Sequence, residues 1–542
     1  MFTNLSVCRI AESGRNVPLD LAMVSRHGLV TGATGTGKTV TLQALAEAFS
    51  RAGVPVLCCD VKGDLSGIAA AGGGNPRMAG AFGKLGLPEP TYEANPATFW
   101  DVFGALGLPL RATVSDLGPL LLGRLLGLKD IQADTLRLIF RIADERDLPL
   151  LDLEDVRAML EWVSANAASL KAEYGLLSGS SLGAIQRSVL ALDDTGAGHF
   201  FGEPALAIDD LMRIDSKGRG IVNVLSSESL MAEPTLYATV LLHLLGEVFE
   251  EMPEAGDLDK PKLVLLLDEA HLLFDDAPKA LVEAVERTAR LVRSKGVGLW
   301  LVTQSPLDVP ESVLGQLGNR IHHALRAYTP KDKKAVDSVA DTLRPNPEFD
   351  AAAVITELGV GEALVSFLDA EGRPTPVERV RVVPPASRIG AIDPAGRAAI
   401  ISASPLGSRY RVAINRESAY EMLKGRMRGD TGSAIDGTRG ASAGISAGRK
   451  ADREPTIEEI EAELSGMTPT GSMEPEAGER PRYASEPGAR PAARPAARSH
   501  AREPQPAEDF ASALARAALS AAGRELGRQA IRGLLGTRSR RR

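Results

Sequence analysis

Residues 32–39 read GATGTGKT, the full phosphate-loop pattern G-x-x-x-x-G-K-[ST] with no gap. Its glycines, Gly32, Gly35 and Gly37, let the backbone curl so that N–H groups face phosphate oxygens. The helix that follows adds the positive end of its dipole. Lys38 is then in reach of β- and γ-phosphates, and the Thr39 hydroxyl can ligate Mg2+. The whole loop, Gly32, Ala33, Thr34, Gly35, Thr36, Gly37, Lys38 and Thr39, is a candidate nucleotide cradle. An apolar stretch, Gly28-Leu29-Val30, precedes it and a helical pattern from Val40 to Phe49 follows. That is the strand–loop–helix order the motif needs.

Working outward, residues 1 to about 27 read as a short lead-in. Val54 to Asp60 is a second buried strand, running into Asp60-Val61-Lys62-Gly63-Asp64. Such a strand end is where α/β sheets bind ligands. Residues from about 100 to 215 carry helical periodicity at Leu117–Leu128, Ile131–Asp144, Asp152–Ala165 and Ser181–Asp193. Their apolar stripes are expected to be core. Strands follow at Gly220–Leu225, Lys262–Asp268, Gly298–Thr303, Arg320–Ala327 and Glu362–Phe367, with helices at Thr235–Glu251 and Pro278–Ser294. Alternation of this kind predicts an α/β fold with a mainly parallel sheet.

The expected divisions are 1–99 for the first part of an ATPase core and 100–215 for a large helical insertion. The second part of the core takes 216–425. A linker rich in Gly, Pro, Ala, Ser, Glu and Arg takes 426–506 and is expected to be disordered. An amphipathic helix with a basic end takes 507–542.

Leu263 to Phe274 (LVLLLDEAHLLF) is a buried apolar strand ending in an acid pair, a Walker B pattern. Asp268 is the candidate Mg2+ holder. Glu269, one residue on, is placed to orient or deprotonate a water. The quartet Asp268-Glu269-Ala270-His271 spells the DEAH of a helicase group, but the Ser-Ala-Thr and Gln-Arg-x-Gly-Arg motifs of that group are not found. His271 therefore reads as a packing or hydrogen-bonding residue. Gln304, ending the strand in LWLVTQSP (299–306), suits a sensor of the γ-phosphate or the lytic water. Arg320 and Arg326 are the leading candidates for an arginine finger reaching a neighbouring subunit, ahead of Arg290 and Arg293.

Composition narrows the class. The chain has 542 residues, of which 44% are hydrophobic and only 4% aromatic, so a core of Leu, Val and Ala is expected. A net charge of −8 argues against nucleic-acid binding over the whole surface, while leaving room for a local basic channel. The three cysteines, Cys8, Cys58 and Cys59, show neither a disulfide framework nor metal spacing. A cytoplasmic setting is expected, with no signal peptide and no membrane span.

GATGTGKT (32–39), DVKGD (60–64), LLLDEAHLLF (265–274) and LVTQSPLDVP (301–310), in this order, resemble the bacterial HerA-like helicase-domain ATPases of the HerA/FtsK branch. GAIQRSVLAL (183–192), HFFGEPAL (199–206) and RQAIRGLLG (528–536) share the resemblance. It implies a RecA-like core using ATP and Mg2+, a homo-hexameric ring with sites between subunits, and double-stranded DNA as the track. It carries roles onto Lys38, Thr39, Asp268, Glu269, Gln304 and, as the finger, Arg320. Archaeal HerA has a β-barrel ahead of its phosphate loop. Only 31 residues precede Gly32 here, too few for that barrel, which puts a nuclease partner in doubt and weakens the transfer of a DNA-end-processing role. Two readings stay open: a DNA translocase or helicase motor, and an ATP-switched assembly or scaffold protein with slow, DNA-independent hydrolysis. A small-molecule kinase fits less well, because a carboxylate beside the Walker B Asp suits water activation.

Overall fold

A computed structural model describes residues 4–425, apart from 74–79, 176, 276 and 278. The expected linker (426–506) and terminal helix (507–542) lie outside the described residues. The strands are β1 (Asn4–Ile10), β2 (Asn16–Asp20), β3 (Gly28–Thr31), β4 (Val56–Asp60), β5 (Ala97–Asp101) and β6 (Leu108–Pro109). They continue with β7 (Val222–Ser226), β8 (Leu263–Leu267), β9 (Val297–Thr303), β10 (Asn319–His322), β11 (Glu362–Ser366) and β12 (Glu378–Val382). All join one 12-stranded sheet in the order β2-β1-β12-β11-β10-β3-β9-β8-β4-β7-β5-β6.

From β10 to β6 every pairing is parallel. β11, β12, β1 and β2 extend the sheet antiparallel. β9 separates the phosphate-loop strand β3 from the acid-pair strand β8. With strands about 4.8 Å apart, β3 and β8 are about 10 Å from each other. The fold is α/β, a large and mainly parallel sheet with a core packed on each face.

The continuous apolar runs are two alternations superposed, one for each covered face. Leu263, Leu265 and Leu267 of β8 and Leu299 and Leu301 of β9 face the larger core. Val264 and Leu266, with Trp300 and Val302, face the other. The larger core takes the helices Val114–Leu125, Asp130–Glu145, Leu153–Ala165, Gly179–Asp194 and Pro234–Glu251. The second core takes the helix after the phosphate loop, α1 (Lys38–Arg51), through Leu42, Leu45 and Phe49. Each such buried side chain contributes about 1.5–3 kcal/mol. Trp300 packs edge to face with Phe49 and lies against Gly28 of β3, where a Cβ would stand 2.3 Å from its ring.

Three sequence expectations change. Residues 4–20 are not a lead-in. They form β1 and β2, and Leu5, Val7 and Cys8 enter the second core. The boundary placed at residue 100 falls inside β5, whose Trp100 indole donates to Asn223 Oδ1 at 3.0 Å. The helical block thus begins at Val114, after β6. The strand expected over 320–327 ends at His322, because the chain then turns across the phosphate loop, Ala324 accepting from the N–H of Ala33 at 2.9 Å.

Candidate nucleotide site

Parallel strands end together, so β3, β4, β8, β9 and β10 deliver Gly32, Asp60, Asp268, Gln304 and His323 to one edge of the sheet. The phosphate loop leaves β3 with Gly32 at φ 154°, Gly35 at φ 78° and Gly37 at φ 117°. L side chains rarely adopt such angles. Nothing lies within 4 Å of where a Cβ on Gly35 would stand. Among the described residues, the N–H groups of Gly35, Gly37, Lys38 and Thr39 have no protein acceptor. An open cradle of unpaired donors at a helix N-terminus fits phosphate oxygens. The Lys38 amine donates to the carbonyls of Gly32 (2.5 Å) and Ala33 (3.3 Å). Partial burial lowers its pKa, against the pull of Asp268 and Glu269.

Asp268 leaves β8 held on two sides. Its carbonyl accepts from the Tyr237 hydroxyl at 2.7 Å, and its Oδ1 accepts from the Glu269 N–H at 2.9 Å. Burial, reinforced by the neighbouring Glu269 charge, pushes its carboxyl from 3.8 to about 6. Lys38 and Lys62 pull the other way. Glu269 does not continue the strand. It sits in the left-handed region at φ 48°, ψ 45°, a conformation that costs a non-glycine residue about 1–3 kcal/mol. The turn it makes leaves Glu269 Oε2 buried without a hydrogen bond. His271 Nδ1 stands 3.3 Å away but not in hydrogen-bonding alignment. An acid pair of this kind, within electrostatic reach of Lys38, suits a metal ion held at a triphosphate.

Gln304 is exposed just beyond β9, and the turn after it is tied by Asp308, which accepts from Thr303 Oγ1 and the Ser305 N–H, each at 3.0 Å. Arg320 is not beside the loop. It pairs in register with Leu29, three residues before Gly32, about 10 Å along the strand. Its guanidinium donates to the Leu314 carbonyl (3.2 Å) and Thr342 Oγ1 (3.3 Å). Arg326 is exposed on the segment that crosses the loop and donates to the Thr356 carbonyl at 3.1 Å. Arg290 pairs with Glu286 at 2.7 Å, and Arg293 stands 3.8 Å from Asp257.

The sequence placed Asp60 and Lys62 at a ligand-binding strand end without a role for either, and it gave no sign of Glu228, His322 or His323. Asp60 is buried and its carboxyl is raised to about 6 by burial, although the Leu65 and Ser66 N–H groups oppose the shift. Glu228 approaches it where Gly63 has no side chain, since a Cβ there would stand 2.1 Å from Glu228 Oε1. Lys62 brings a second positive charge to Asp268 and Lys38. His322 and His323 are fully buried at the end of β10. Thr31 Oγ1 lies 2.7 Å from His322 Nδ1. A histidine pair at a strand end next to the loop strand is the signal that could have found them.

A family model described as "Helicase HerA-like C-terminal" matches residues 7–472. The chain is 32% identical over 159 residues to the DNA double-strand break repair helicase HerA of Saccharolobus solfataricus, covering 28% of this chain and 30% of that protein. Over 158 residues it is 30% identical to the protein of the same name in Sulfurisphaera tokodaii, covering 28% and 30%. The matched stretches thus span under a third of those relatives. Among solved structures it is similar to plasmid coupling protein TrwB in complex with ADP and Mg2+ (TM-score 0.45, 15% identity, 71% of this chain and 90% of that one). It is also similar to VirB4 of Thermoanaerobacter pseudethanolicus (TM-score 0.44, 15% identity, 73% and 98%). Since the family model covers most of its length, the chain belongs to the HerA-like helicase C-terminal family.

Proposed function

We propose that this protein hydrolyses ATP and is a motor that moves along double-stranded DNA, assembled as a homo-hexamer whose sites are completed between subunits. The observation that carries the reading is the meeting, at one sheet edge, of a cradle of unpaired N–H groups with an acid pair set two strands away. The loop from Gly32 to Thr39 holds the phosphates, and Lys38 leaves the loop carbonyls to meet the transferred phosphoryl group. Thr39 and Asp268 hold Mg2+, which when bound neutralises charge on the phosphate oxygens. Glu269, its Oε2 free of hydrogen bonds, takes the proton of the attacking water. Gln304 orients that water, and an arginine of a neighbouring subunit, Arg320 in this scheme, stabilises the developing charge. To serve so, Arg320 must release Leu314 and Thr342.

DNA as the track is supported by the names of the curated relatives. The helical block from Val114 to Leu211 is, in this reading, an insertion that decorates the core. No helix of the described residues is long and apolar enough to cross a membrane. The three cysteines are buried and unpaired. Buried, unpaired thiols suit a reducing, cytoplasmic setting.

The test is steady-state ATP hydrolysis with and without long double-stranded DNA, with Glu269→Gln in parallel. Strong stimulation that disappears in the variant is the expected result. Slow hydrolysis indifferent to DNA would replace the motor with an ATP-switched assembly protein.

A further inference from the structure

The phosphate loop rests on a residue with no part in the scheme above. The imidazole of His323 is buried, and its Nδ1 lies 2.9 Å from the Glu362 carbonyl. A carbonyl only accepts, so Nδ1 carries the proton and Nε2 is the acceptor. The Thr41 hydroxyl, in the first turn of α1, lies 2.8 Å from Nε2 and therefore donates to it. Burial holds the ring neutral by lowering its pKa to about 4, so this polarity persists at physiological pH.

The same residue touches the loop itself. A Cβ on Gly32 would stand 2.5 Å from His323 Cβ, and one on Gly37 would stand 3.6 Å from His323 Cε1. Its backbone N–H donates to the Thr31 carbonyl at 2.8 Å, just before the loop. The loop is clamped again where the Gly361 N–H donates to the Thr36 carbonyl at 3.0 Å. Gly361 is the neighbour of Glu362, the residue His323 bonds.

We infer that His323 is a positioning residue for nucleotide binding, fixing both ends of the phosphate loop by joining the end of β3, the first turn of α1 and the turn before β11. It acts through Thr41 and Gly32 and touches no substrate. A loop whose N–H groups are already aimed binds phosphate without first losing its own conformational freedom. The inference rests on the loop binding nucleotide.

The experiment measures the dissociation constant of a fluorescent, non-hydrolysable ATP analogue with Mg2+ on the full chain. The variants are Thr41→Val, His323→Asn, the double variant and His323→Gln. Val339→Ala, in a separate core cluster, controls for lost stability. Thr41→Val is expected to weaken binding about fivefold to tenfold, the size of one hydrogen bond. The double variant should be no weaker than His323→Asn alone, because both remove the same link. His323→Gln, whose amide oxygen can accept from Thr41, should recover part of the loss. Val339→Ala should lower the unfolding midpoint and leave affinity alone. Wild-type protein that binds while Thr41→Val stays within about twofold of it, or additive losses in the double variant, would overturn the role of His323 alone. Wild-type protein that fails to bind would overturn the nucleotide site and this inference together.

Discussion

Replacing Asp268 by Asn should make the metal-free protein more stable near neutral pH while removing the residue assigned to Mg2+. Burial and the Glu269 charge raise the Asp268 carboxyl from 3.8 to about 6. The folded state therefore holds that proton more tightly than the unfolded chain. Ionising the group penalises the fold, and the penalty grows as pH rises from about 4 to about 6 and is complete above that. A rise of this size corresponds to about 3 kcal/mol. Since Asp268 as a residue is only partly buried, about 2 kcal/mol is the better figure. Asn never ionises, and its amide oxygen can keep the 2.9 Å bond from the Glu269 N–H. Urea midpoints in EDTA should then favour the variant at pH 7.5, and the gap should narrow by pH 5. Saturating Mg2+ and ATP should reverse the order, because ligand at 100 times its dissociation constant stabilises the wild type by about 2.7 kcal/mol. A variant no more stable than wild type at pH 7.5, or a gap that ignores pH, would refute the reasoning.

Glu269→Gln should lower kcat about 10²–10⁴-fold and leave nucleotide affinity nearly unchanged, which separates proton transfer from binding in a single-turnover assay. Hydrolysis should fall as pH drops below about 6, because a protonated Asp268 cannot ligate Mg2+. Raising Mg2+ should move that limb of the kcat/KM profile to lower pH. Gly28→Ala should destabilise the protein by about 1–3 kcal/mol, since its Cβ would stand 2.3 Å from the Trp300 ring. A urea midpoint equal to wild type would show that the ring has room to move.

Much of the site was legible because its signals are local. GATGTGKT fixes the loop through backbone conformations that only its glycines adopt readily, and LVLLLDEAH announces a buried strand ending in acids. The parallel sheet followed from apolar runs long enough for a strand covered on both faces. The edges were not legible. β2 is the outermost strand and β1 lies between it and β12, and both mix polar with apolar residues, so residues 4–20 lack the continuous apolar run that marks the central strands. β6 is only two residues long, and β5 is fixed by its pairing with β7 and β6.

By itself, the sequence determined the chemistry offered to a nucleotide: which residues can cradle phosphate, hold a metal and take a proton. These depend on residue type and short spacing, and both are written along the chain. Only the tertiary structure decided who stands next to whom across hundreds of residues. It turned Glu269 out of its strand, tied Arg320 to Leu314 and Thr342, and slid His323 beneath Gly32. Such placements arise from strand register and close packing between distant segments, which no local pattern encodes.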